Sequence, residues 1–142
     1  MITSSPIGSP KSNPAVAKAT ATWPKLSDQG ILLMPTQQGF VIGGGSSRAV
    51  LWSVYELVER WGVRYLMHGD VLPTWAGKKG QTFTLPGKPV VLEPKLRIRQ
   101  WRVVNDFACG PESWGIRDYR PLLDQLAKLK FNRLNVSIYP WQ

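Results

Sequence analysis

Residues 39–67, GFVIGGGSSRAVLWSVYELVERWGVRYLM, decide how this chain is read. Phe40, Val41 and Ile42 form a short β-prone run, which Gly43, Gly44 and Gly45 break. Ser46 or Ser47 follows where a hydroxyl can accept from the free amides of a helix N-terminus. Val50, Val54, Leu57, Val58 and Trp61 then recur at helical spacing, widened by Leu51 and Tyr55, while Glu56, Glu59 and Arg60 lie elsewhere on the wheel. Gly62 stands where a left-handed residue ends a helix, and residues 63–67 return to strand composition. The stretch predicts a β-α-β unit with a wide buried helix face.

Working outward on the N-terminal side, residues 31–34 are a short apolar run before Pro35, expected to pair with residues 39–42 across the turn at 36–38. On the other side, residues 68–81 read as loop, punctuated by Gly69, Pro73, Gly77 and Gly80. Residues 83–85 and 90–92 are two brief strands split by Pro86-Gly87. Residues 25–94 therefore fit a small α/β domain, a few strands covered by one helix. A second pattern starts at Leu96. Leu96, Ile98, Trp101, Val103 and Val104 mark a strand ending at Asn105-Asp106. Asp118 is a fair N-cap with Pro121 in the first turn, and Leu122, Leu126 and Leu129, backed by Leu123 and Ala127, give the helix its stripe. Asn132 can end that helix, and Leu134, Val136 and Ile138 alternate as a new strand. This is a second β-α-β unit with strands expected to be parallel. Two parallel strands under one helix leave edges and faces bare, whereas parallel sheets are normally covered. Residues 95–142 are thus expected to open a larger, truncated domain.

Composition narrows the classes. With 43% apolar residues and 7 Trp among 142 residues, the chain can build a core. The formal charge of +9 invites an anionic partner, but Lys and Arg cluster only at Lys78-Lys79, Arg97/Arg99/Arg102 and Lys128/Lys130/Arg133, so nucleic acid is not expected. A single cysteine, Cys109, excludes an internal disulfide and a cysteine-based zinc site. No apolar run approaches the ~20 residues of a membrane span. Residues 1–24, rich in Ser, Pro, Ala and Thr, read as a flexible leader without the apolar segment of a secretory signal.

Taken in order, the motifs resemble carbohydrate-active enzymes. GSSRAVLWSVYELVERWGVRYL followed by DVLP is similar to the helix of the small α/β domain that precedes the barrel in β-N-acetylhexosaminidases and α-glucuronidases. Arg48, Ala49, Tyr55, Glu59, Gly62, Val63 and Arg64 match that pattern. PKLRIRQWRVVNDF resembles the first strand of the catalytic (β/α)8 barrel, and LAKLKFNRLNVSIYPW its first helix and second strand, with Lys130-Phe131-Asn132 before the apolar run. The resemblance covers about residues 28–142. It implies an α+β fold, a small sheet with one covering helix followed by the truncated start of a TIM barrel. It also implies a parent hydrolase of O-glycosyl bonds, which an extracellular or periplasmic location would suit. Two departures stand out. Hexosaminidases carry a sugar-binding Arg five residues before an Asp on barrel strand one; here Asp106 is preceded at that distance by Trp101, with Arg99 and Arg102 flanking it. The second strand, ending SIYPWQ, lacks the His often found there. A glucuronidase-like or unclassified branch fits at least as well.

Barrel chemistry sits at the C-terminal ends of the strands. By that rule the resemblance places Asn105, Asp106, Tyr139 and Trp141 at the rim of a carbohydrate site, with Trp114 in the first loop. That loop has about a dozen residues where about 2–6 is usual, a length more often functional than structural. Asp106 would hydrogen-bond a sugar hydroxyl and Trp114 or Trp141 would stack on a pyranose face. The same residues also fit a structural role, Asp106 capping a turn and both Trp in the core. Glycoside hydrolysis needs two carboxyl groups, or one aided by the substrate. In the families resembled the acid lies on a later strand, so this chain is expected to hold no catalytic residue, metal or cofactor and to be inactive alone.

Other motifs carry less. The Gly43-Gly44-Gly45 loop suggests a dinucleotide cradle, but the third glycine position is Arg48 and Asp70 follows the wrong strand, so a tight turn for helix packing is preferred. His68 is read as a turn residue and Cys109 as a small loop residue. A self-contained basic module for nucleic acid or an acidic polysaccharide is the alternative to the hydrolase.

Overall fold

The computed structural model describes residues 24–37, 39–80, 82–102 and 110–136. The architecture is α+β, with small sheets and two helices among the described residues. Contacts divide it into two compact units. The described residues up to Val63 together with Leu72–Lys95 form the first, and Arg64–Val71 with those from Leu96 onward form the second.

In the first unit, β1 (Ile31–Thr36) pairs antiparallel with β2 (Gly39–Gly44), running from Ile31 opposite Gly44 to Thr36 opposite Gly39. The pairing expected from the sequence is present and longer than expected. Pro35 does not end β1, because β5 (Val90–Leu92) pairs only with Ile31, Leu32 and Leu33 on the other side. The missing N–H of Pro35 therefore falls where β1 has a single neighbour. The order β2-β1-β5 makes β1 central, and Ile31, Leu32, Leu33 and Met34 are all buried. Leu32, Met34 and Val41 cluster with Leu26, while Ile31 packs with Ala49, Trp52 and Tyr55 of α1 (Ser47–Arg60).

The helix starts as its sequence dictates. Ser46 has extended backbone and its Oγ accepts from the Ala49 N–H at 3.2 Å. The buried face is rotated from the expected one: Ala49, Val50, Trp52, Ser53 and Leu57 are inside, and Leu51 is exposed. Small residues explain the rotation. Ala49 and Ser53, one turn apart, let α1 approach β2, and the Ser53 hydroxyl lies between the carbonyls of Gly43 and Ala49. A Cβ at Gly44 would stand 2.6 Å from the Ala49 carbonyl carbon, so this approach requires glycine. Gly62 takes the left-handed conformation expected, with φ 99°.

Beyond Gly62 the β-α-β expectation fails. β3 (Arg64–Leu66) pairs antiparallel with β4 (Gly69–Val71) across the turn at Met67 and His68, and belongs to the second unit. A two-residue turn closes a local hairpin at far lower entropic cost than a crossover return to β2. Residues 83–85 form no strand. Phe83 instead packs 4.7 Å from the ring of Trp61, and the Trp61 indole N–H donates to the Thr84 carbonyl at 2.9 Å.

In the second unit, β6 (Gln100–Arg102) and β7 (Arg133–Asn135) pair in parallel, joined through α2 (Ile116–Lys128), as the sequence implied. A 3-10 turn (Gly110–Ser113) precedes α2. The helix begins earlier than expected. Gly115 is the N-cap, its N–H donating at 2.9 Å to Asp118 Oδ2, so Asp118 closes the first turn from inside and Pro121 falls within the helix. Leu122 and Leu126 are buried, whereas Leu123 is 44% exposed. The end is a Schellman turn, with the Phe131 N–H bonded to the Leu126 carbonyl and the Lys130 N–H to that of Ala127. Lys130 holds the left-handed position with φ 63°.

Candidate functional site

The parallel register sets Gln100 beside Arg133, Trp101 beside Leu134 and Arg102 beside Asn135. Arg102 and Asn135 are thus the last described pair toward the C-terminal ends of the two strands, the end at which barrel sites form. Asn105, Asp106, Tyr139 and Trp141 lie outside the described residues, as does Cys109. Of the five candidate sugar-binding residues, Trp114 is the one the structure places. It follows the 3-10 turn, its N–H directed at the Pro111 carbonyl at 3.4 Å. Its ring meets Tyr119 edge-on, 5.8 Å between centroids at 71°, and the Tyr119 hydroxyl donates to the Pro111 carbonyl. Trp114 is 38% exposed, so it is not a core residue. An indole braced on one side and open on another can offer a face to a ligand.

The entry to β6 and β7 is held by a polar clip that the residue pattern alone did not reveal. Asn132 Oδ1 accepts from the Arg99 N–H at 2.9 Å, and its Nδ2 donates to the Arg97 carbonyl at 2.8 Å. The N–H groups of Asn132 and Arg133 both donate to the Arg99 carbonyl, at 3.0 and 3.2 Å. The Arg99 side chain then donates from Nε to the Lys130 carbonyl at 2.7 Å and from a terminal nitrogen to the Leu96 carbonyl at 2.8 Å. These bonds fix the left-handed turn at Lys130, which a non-glycine residue adopts only at a cost. Arg99 is therefore engaged with backbone. Arg102, the other arginine flanking the expected sugar-binding position, is exposed. The sequence signal for the clip was Lys130-Phe131-Asn132 ahead of an apolar strand. Asn132, expected to stop the helix, instead uses both ends of its amide to bridge to Arg97 and Arg99 ahead of β6.

A second polar cluster ties the β3–β4 hairpin to α2. Lys128 Nζ is 2.6 Å from Asp70 Oδ2 and 5.7 Å from the centroid of the buried Tyr65 ring. The Lys128 hydrogen bond, the strongest influence, holds the Asp70 carboxyl below its ordinary value of 3.8. Gln125 and the Lys128 charge act in the same direction, and burial opposes them. His68 sits exposed in the hairpin turn. Among the described residues no group of three His, Cys, Asp or Glu could hold a metal ion, and no helix is long and apolar enough to cross a membrane.

The glycine loop of the first unit is filled by the chain itself. The Gly45 N–H donates to the Gly30 carbonyl at 3.1 Å, and Ser46 Oγ donates to the Asp28 carbonyl at 2.6 Å. A Cβ on Gly45 would overlap the Ser27 carbonyl oxygen, at 1.7 Å. Backbone packs directly against Gly45, and the packing-turn interpretation of Gly43-Gly44-Gly45 accounts for the geometry. The chain matches no protein-family model, no curated protein and no solved structure.

Proposed function

We propose that this chain is the accessory α/β domain and the first strand-helix-strand of the barrel of a glycoside hydrolase, active on O-glycosyl bonds once the remaining β-α repeats complete the barrel. The single observation that carries this proposal is the parallel pairing of β6 with β7 through α2. Two parallel strands form no finished layer, and the commonest solution is further β-α repeats. In that barrel Asn105, Asp106, Tyr139 and Trp141 stand at the rim with Trp114 on the first loop, and the carboxylic acid that protonates the leaving group comes from a later strand. The first unit buttresses the barrel and takes no part in the chemistry. The 142 residues alone then turn over no glycoside.

The test uses the enzyme encoded by the complete reading frame, with aryl β-N-acetylglucosaminide and aryl α-glucuronide as substrates. Asp106→Ala is expected to lower kcat/KM about 100-fold, the scale of a lost hydrogen bond to charge in the transition state, with an unchanged circular dichroism spectrum. Unchanged kinetics would remove Asp106 from the site. Turnover by neither parent nor variant, together with salt-dependent binding of DNA by this chain, would replace the hydrolase by a basic binding module.

A further inference from the structure

One corner of the first unit has a chemistry that buttressing a barrel does not require. Trp61 closes α1, and Gly62 then turns the chain so tightly that a Cβ there would lie 3.3 Å from Pro73. This brings the ring of Trp61 beside Phe83, and Phe83 beside Trp75, with centroids 4.7 and 5.6 Å apart. With Arg60, Thr82 and Thr84 they line an open pocket of about 200 Å³. Phe83 is 54% exposed, a large aromatic surface left in water beside two indoles.

The geometry selects among ligands. The ring planes meet at 45° and 69°, so neither contacting pair forms the parallel slot that sandwiches a flat nucleobase. The Arg60 guanidinium in the lining opposes a cationic guest, which three aromatic rings would otherwise suit. Glu56, 3.0 Å from Arg60, partly offsets that charge and removes any strong demand for an anion. What remains is a neutral ligand with an apolar face and a hydroxylated rim. A pyranose ring has both: its C–H face packs on Phe83 and Trp75, and its hydroxyls reach Thr82, Thr84 and the guanidinium donors of Arg60. We propose that this pocket binds the pyranose units of a neutral oligosaccharide, separately from any site at the barrel rim and independently of whether that barrel exists.

The test follows the indole N–H resonances of the 142-residue chain by NMR while cellohexaose, xylohexaose or chitohexaose is added to millimolar concentration. At least one of the three is expected to shift the Trp61 and Trp75 signals saturably. Trp75→Ala should weaken that binding about tenfold, the scale of a lost aromatic contact. Thr82→Val, an exposed substitution that leaves the rings in place, should weaken it several-fold and decides the matter if Trp75→Ala does not fold. The proposal is overturned if none of the three sugars moves these signals, or if their binding survives Thr82→Val unchanged. It is also overturned if oligothymidylate or tetramethylammonium ion shifts them where the sugars do not.

Discussion

Each of the two units is stabilised by different physics. In the first, β1 is buried along Ile31, Leu32, Leu33 and Met34, and Trp52 of α1 is 1% exposed. Its polar bonds serve the backbone: a helix cap at Ser46, a close approach at Ser53, and Ser27 anchored to Glu93 at 2.9 Å. The second unit buries Tyr65, Leu122 and Leu126 and leaves Leu96, Ile98 and Ile116 in water. What fixes its geometry is polar and directional, namely the Arg99–Asn132 clip and the Asp70–Lys128 pair. A unit with few buried apolar residues among those described relies on hydrogen bonds to hold its strands in register.

The contrast is broken most easily at Trp52. Removing a fully buried indole leaves a cavity that the neighbouring Ile31 and Ala49 cannot fill, so Trp52→Ala should cost about 3–5 kcal/mol. Urea denaturation followed by circular dichroism measures it. A loss below about 1 kcal/mol would show that the apolar face of α1 is not what holds the first unit. The sequence made the existence of this helix plain, because Ser46, the apolar periodicity and Gly62 agree. It did not make the face plain. A wheel weighted by hydrophobicity favours Leu51 and Val54 over Ala49 and Ser53, but close packing against the glycine end of β2 rewards small residues. The strand after Gly62 is present as expected, but its pairing was not legible, for another reason. Residues 63–67 carry strand composition that is silent about partner, and a two-residue turn outcompetes a long crossover.

Asn132 sharpens the comparison from the other side. Asn132→Ala leaves the Arg99 N–H and the Arg97 carbonyl without their partner, and should cost about 2 kcal/mol. Asn132→Asp keeps the acceptor and loses the donor, and should cost less. Amide exchange reads the effect directly: the N–H of Arg99, protected by Oδ1, is expected to exchange faster in the alanine variant while those of β1 hold. An unchanged Arg99 amide would mean that α2 packing, not the clip, aligns β6 with β7. This half of the molecule is where the sequence was least legible. The order strand, helix, strand follows from Leu96, Leu122, Leu126 and Leu134. The bonds that fix it join residues more than thirty positions apart, and an Asn looks the same whether it stops a helix or bridges two strands. Of the expected site, Trp114 is the one residue among those described, and it lies exposed with Tyr119 edge-on to its ring.

The smallest effect belongs to Asp70 and Lys128, whose side chains are 31% and 22% exposed. Exposed pairs contribute about 0.2–1 kcal/mol, and Asp70→Asn should cost no more than that at neutral pH. The pH dependence gives the effect a sign that packing cannot imitate. The Asp70 carboxyl is held below 3.8 in the folded chain, so the unfolded chain binds the proton more readily. The stabilisation is therefore complete above that value and disappears as pH falls through the folded carboxyl's lower one. The difference in stability between parent and Asp70→Asn should be present at pH 7 and shrink toward acid, and should also diminish with added salt. A difference that stays constant with pH would assign the loss to the shape of the β3–β4 hairpin. The second unit would then owe less to charge than its geometry indicates, and the clip at Asn132 would carry the contrast with the first unit alone.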